Sequence, residues 1–251
     1  MGTSGQRDGP RGGKWASAAN IYTRWQRSDQ AEETVERPGR ALRDALAEEV
    51  RRDPDSFELR PAMQAAGLRL VEVVQELRTG GAEGFAPGGG VPPEQRVDVF
   101  IAGIAERVAG SGSLYADALV RQAAVACAED LLARDPQLLS AVRAGVSGGL
   151  PIAGDLFCSV YQIFFAHTVR TFLQSAIAEK VTVVAPVLPV LDPAGYVADW
   201  IAQKILSVLP DPCERGAADD APSLAAVMRN LVNESVDRAL GLGAQPAETS
   251  A

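Results

Sequence analysis

A helix that is apolar on almost every side has to be enclosed by something, and residues 156–173 would make such a helix. Leu156, Phe157, Val160, Tyr161, Ile163, Phe164, Phe165, Val169, Phe172 and Leu173 fall at every angular position around it. The wider region from Pro151 to Cys213 carries only 8 charged residues in 63, yet half of the chain's aromatic rings. Lipid could enclose such a helix, but a membrane span needs about 20 uninterrupted apolar residues. Here Asp155, Gln162, His167 and Arg170 break the run. The uncharged stretch 181–191 is shorter and contains Pro186 and Pro189, so it reads as an extended, buried connection. Protein is therefore expected to do the enclosing. The fold class is all-α, an irregular multi-helix bundle with a central, nearly fully buried helix.

The rest of the chain supplies helices to surround it. Residues 1–38 read as a flexible segment with a short helix, on which Trp15, Ala18, Tyr22 and Trp25 recur at steps of three to four. That aromatic stripe either docks back on the domain or anchors the chain to a partner or membrane surface. Residues 39–79 form a helical hairpin. Its first helix stops at Asp53-Pro54, since a residue before proline is driven out of the helical region, and the second runs from about Ser56 to Arg78. Residues 80–92, rich in Gly and Pro, read as a linker to a main helical domain at 93–213. Within that domain Asp135 is placed to cap a helix starting at Pro136, and Asp192-Pro193 to start another. Residues 214–222 read as a second linker, 223–241 as a last helix capped by Ser223, and 242–251 as a disordered tail.

Charge narrows the partners. A formal net charge of −8 without a Lys/Arg cluster does not suit nucleic acid, whose binding depends on releasing counterions to a basic face. A membrane is not expected, and no small-molecule substrate is identified. The first residues hold no apolar run of the signal-peptide kind, and a cytoplasmic location is expected. Cys127, Cys158 and Cys213 are odd in number and far apart, with no CxxC pair, and are expected as reduced thiols.

Chemistry is sparse. His167 is the sole histidine, so a His-based metal site would need acids or thiols to complete it. On one continuous helix, Cys158 and His167 are separated by about 13.5 Å of rise and half a turn, out of hydrogen-bond reach. Cys127 and Cys213 stay open as spatial partners of His167. Among the acids of the low-charge region, Asp155 and Asp192 have capping explanations. Asp155, His167 and Asp199 are the candidates for a polar site; no catalytic, cofactor-binding or metal-ligating set is assigned. No P-loop, GxGxxG, GxSxG, HExxH or EF-hand pattern occurs. Phe157, Tyr161, Phe164, Phe165, Phe172, Tyr196 and Trp200 are candidates for either the core or a partner surface, with Lys204 one turn beyond Trp200.

The Gly-Leu-Pro at 149–151, Asp155, Phe164-Phe165, Asp192-Pro193, Ala198-Asp199-Trp200 and the terminal Pro-Asp-Pro-Cys at 210–213 resemble the helical region N-terminal to NACHT-type signalling ATPases of actinobacteria. The resemblance covers mainly residues 148–213, and the ATPase's phosphate loop is not among these 251 residues. It implies a non-enzymatic sensor, adaptor or effector-associated module in an antiphage defence switch, acting through a protein partner or self-association and without a cofactor. Two other readings stand beside it: an enzyme whose site is assembled from distant residues around His167, and a membrane-associating or pore-forming effector.

Overall fold

A computed structural model describes residues 13–28, 34–85, 91–110, 112, 115–145, 154–184, 195–215 and 224–243. Its regular structure is helical, and the fold is all-α. The organising element is α7 (Gly154–Val184), against which α1 (Gly13–Arg27), α3 (Leu59–Gly80), α5 (Tyr115–Arg134), α8 (Tyr196–Leu206), α9 (Pro212–Arg215) and α10 (Leu224–Ala239) all pack. Between Cys158 and Ile177 only Gln174 is exposed. One stripe, through Ser159, Ile163, His167, Arg170 and Gln174, is half-exposed, and the remaining faces are enclosed by the packed helices.

The rings on α7 interlock with one another. Phe165 meets Tyr161 and Phe164 edge-on, with centroids 5.0 and 5.2 Å apart. Two polar groups inside this layer are satisfied locally or across the core. Thr168 Oγ1 donates to the Phe164 carbonyl one turn back at 2.9 Å, and the Tyr161 and Ser235 hydroxyls share a hydrogen bond of 3.1 Å. Burying these groups unpaired would cost about 1–3 kcal/mol each.

The remaining helices form the shell. On α1 the stripe Trp15, Ala18, Tyr22 and Trp25 is buried, and the helix packs on α2 (Glu36–Arg52) and on α7. The aromatic helix therefore docks on its own domain. Trp25 Nε1 donates to Thr34 Oγ1 at 3.0 Å, which ties α1 to the approach to α2. Helix α2 ends at Arg52 with Asp53 extended (φ −140°, ψ 97°), as the following proline demands. Asp135 caps α6 (Pro136–Ala144) by accepting from the backbone N–H groups of Gln137 and Leu138 at 3.0 and 2.9 Å. Helix α4 (Arg96–Ala109) packs along α5 and α3.

Three local departures from the sequence pattern have physical causes. The helix read from Ser56 is broken: Ser56–Glu58 is a 3-10 turn in which Phe57 (φ 62°) and Glu58 (φ 55°) are left-handed, and α3 begins at Leu59. The turn brings the Phe57 ring to 5.1 Å from that of Phe172 on α7, an aromatic contact that favours the strained backbone. The stretch read as extended from residue 181 continues α7 as helix to Val184. The helix read from Asp192 starts at Tyr196, where Gly195 supplies the positive φ of 68° that the turn needs.

The linker read from residue 80 also begins inside the fold. Gly80 ends α3, Ala82 and Phe85 are buried, and Phe85 packs edge-on against Phe100 while the Arg107 guanidinium lies 4.2 Å above its ring. The linker read as 214–222 opens inside α9, which runs to Arg215; residues 86–90, 216–222, the Ser223 cap, Asp192-Pro193, Pro186, Pro189 and both chain ends, 1–12 and 244–251, lie outside the described residues.

Candidate functional site

The sequence candidates separate into a sealed aromatic layer, a polar junction and a cysteine latch. In the aromatic layer Tyr161, Phe164, Phe165 and Phe172 are 0–2% exposed and serve as core. The side chains of Phe157 and Asp155 lie outside the described residues. Trp200 is half-buried against α2, and Lys204 Nζ lies 5.6 Å from its ring centroid. Tyr196, at 41% exposure, is the large hydrophobic side chain left at the surface among the described residues. It opens an outward stripe on α8 that continues through Trp200, Gln203 and Lys204.

The polar junction forms where α7 meets α8. Arg170 Nη2 and Asp199 Oδ1 pair at 2.7 Å, joining the two helices on the half-exposed side of α7. Gly195 sits beside this pair: a Cβ there would lie 3.5 Å from both Arg170 Nη2 and Asp199 Oδ2. His167, half-buried one turn before Arg170, titrates below the ordinary histidine value. Burial is the main cause and the Arg170 charge adds to it, while Asp130 of α5 and Asp199 of α8 pull the other way. The imidazole is therefore neutral at pH 7. Of the polar candidates, His167 and Asp199 are brought within electrostatic range of each other, with Arg170 holding the carboxylate.

The cysteines correct the expectation of three reduced thiols. Cys158 of α7 and Cys213 of α9 are joined in a disulfide, their Cα atoms 6.0 Å apart. Sequence distance hid this pairing, because the bond spans 55 residues and is made only when α9 returns to the start of α7. Cys127 is the free thiol. It is buried beneath α7, its Sγ donates to the Val160 carbonyl at 3.7 Å, and burial pushes its pKa strongly up. A thiol kept protonated in this way is a packing group rather than a nucleophile. Neither cysteine left open as a partner for His167 thus offers it a free, accessible thiol.

A further feature touches the sequence candidates only at Trp25 of the α1 stripe. Helices α1 and α2 border a cavity of about 770 Å³, lined among others by Arg24, Trp25, Glu36, Arg37, Arg40 and Asp44. Its charges are mixed, and Arg40 is paired with Glu36 on its own helix. It has no sequence signature, because it is a gap between two helices rather than a motif on either.

No known protein family, no curated protein and no solved structure matches this chain. Among the described residues, no helix is long and apolar enough to cross a membrane.

Proposed function

We propose that this chain is a non-enzymatic helical interaction module, a sensor, adaptor or effector-associated unit that works by contact. The observation that carries the reading is how the groups capable of chemistry are used. Cys127 is sealed, Cys158 and Cys213 are bonded to each other, Asp199 is paired with Arg170, and Tyr161, Phe164, Phe165 and Phe172 are core. What faces outward is Tyr196, with Gln203 and Lys204 beyond it, while the Trp200 ring between them is half-buried against Gly39 of α2. This face offers an exposed tyrosine ring and part of an indole on a helix tied down by Arg170, and Tyr and Trp are the residues enriched where proteins meet.

The resemblance of residues 148–213 to the helical regions of NACHT-type ATPases supplies a context. In it the module belongs to a cytoplasmic antiphage switch, and α8 meets either the switch protein or a second copy of this chain. A cytoplasmic disulfide in such a setting would be a transient, redox-responsive bond rather than a permanent staple.

Two measurements test the reading. Sedimentation over a wide concentration range reports self-association, and a photo-crosslinking residue at Gln203 reports a partner in the native cell. A discrete cross-linked species or dimer is expected, and it should be lost in Tyr196→Ser. Because position 196 is exposed, that substitution should shift stability by no more than about 0.5 kcal/mol. A chain that stays monomeric and gives no specific cross-link, or one that gives the same cross-link with Ser at 196, overturns the proposal.

A further inference from the structure

Where α9 meets α7, two sulfurs and a carboxylate converge. Cys158 is buried, Cys213 is exposed, and Asp211 Oδ1 accepts a hydrogen bond of 2.8 Å from the Cys213 backbone N–H. One ligand atom from each of Cys158, Asp211 and Cys213 lies within 4.8 Å of the other two. We propose that the reduced form of this cluster is a site for a borderline-soft divalent cation of the zinc kind, so that the latch between α7 and α9 alternates between a disulfide and a metal bridge.

The backbone already suits both forms. A Cα separation of 6.0 Å is normal for a disulfide. Two thiolates on one tetrahedral cation need sulfurs about 3.8 Å apart, given metal–sulfur bonds of about 2.3 Å. That separation falls inside the 4.8 Å within which the three ligand atoms already lie.

Electrostatics then favours a cation. Opening the bond leaves two thiols beside a carboxylate, and among the described residues Asp211 has no ion-pair partner. A dication takes the place of the two thiol protons and is attracted as well by the Asp211 carboxylate, which neutral thiols leave without a counter-charge. The ligand types select as well, since thiolate favours zinc, cobalt or cadmium over magnesium or calcium. Three protein ligands leave a fourth position for water or for a donor from a partner.

The chemistry balances with an ordinary cellular dithiol of the thioredoxin class. Its thiolate attacks the exposed Cys213 sulfur and releases the Cys158 thiolate. Its second thiol then frees Cys213, and the two electrons leave with the reductant as its own disulfide. On binding the cation, Cys158 and Cys213 each give up one proton to solvent. Cys127 has no part in this, because it lies buried and bonded to the Val160 carbonyl.

The test uses the full chain reduced by a phosphine, which is oxidised to its oxide and removed under anaerobic conditions before Co²⁺ is added alone. The expected result is one equivalent bound, with a sulfur-to-cobalt charge-transfer band that Zn²⁺ erases and that the oxidised protein never shows. Cys158→Ser and Cys213→Ser should each abolish the band, and Cys127→Ala should keep it. Asp211→Asn keeps an oxygen for the backbone N–H of Cys213 and should weaken binding on the order of tenfold. If a Cys→Ser chain fails to fold, alkylating reduced wild-type protein at Cys213 should remove the band instead. Absence of the band from reduced wild-type protein overturns the proposal. So does a band that survives loss of Cys213, or affinity unchanged in Asp211→Asn.

Discussion

Gly39 on α2 seats the indole of Trp200 on α8: a Cβ at position 39 would stand 2.7 Å from Trp200 Cζ3, nearer than real Cβ atoms come. The ring cannot slide outward freely, because α8 is held to α7 by Arg170 and Asp199 at 2.7 Å. Gly39→Ala should therefore destabilise by about 1–3 kcal/mol, although alanine is intrinsically the better helix former by about 1 kcal/mol. The double variant with Trp200→Ala should recover part of that loss in denaturant midpoints. Gly80→Ala, where nothing lies within 4 Å of the added methyl group, should not destabilise. Equal penalties at positions 39 and 80 would refute the packing explanation.

The Tyr161–Ser235 pair crosses the core with both residues fully buried. Tyr161→Phe keeps the ring contact with Phe165 and removes only the hydroxyl, which leaves the Ser235 oxygen to find another partner. A loss of about 1 kcal/mol is expected by equilibrium unfolding. Adding Ser235→Ala should cost little more, because both ends of the bond are then gone. Strictly additive losses would mean that the two hydroxyls are not coupled.

Stability should depend on pH through His167. Its folded-state pKa lies below the ordinary 6.5, so the unfolded chain takes up a proton that the native protein resists. Stability from this source is complete above about pH 6.5 and declines as the pH falls below it. Thermal unfolding at a series of pH values should show this slope in the wild type and a flatter one in His167→Gln. A wild type that gains stability on acidification through this window would reverse the sign and refute the assignment.

Reduction should loosen the fold measurably. The Cys158–Cys213 bond closes a loop of 55 residues, worth up to about 4 kcal/mol through the entropy of the unfolded chain. Phosphine-treated protein, kept free of divalent cations, should unfold at lower temperature than oxidised protein. Cys127→Ala should show the same difference between its two redox states. Identical unfolding of reduced and oxidised wild type would mean that the bond does not constrain the chain.

Much of the architecture was legible because it rests on local rules. Pro54 and Asp135-Pro136 fix helix ends through backbone sterics and capping, and both ends fall where the pattern puts them. The α1 stripe of Trp15, Tyr22 and Trp25 marks a face to be buried, though not what buries it. Phe57 shows where the reading fails. Its left-handed backbone accompanies a ring contact with Phe172, more than a hundred positions away, and no local propensity encodes that contact.

By itself the sequence determined the class of fold, because helical periodicity with a long, predominantly apolar run admits few solutions in water. Only the tertiary structure decided what the polar and sulfur groups do. Cys213 meets Cys158, Asp199 meets Arg170 and Ser235 meets Tyr161 through contacts between helices distant along the chain. Periodicity reports which way a residue faces on its own helix. Its partner is set by how the helices cross, and that depends on the packing of all of them at once.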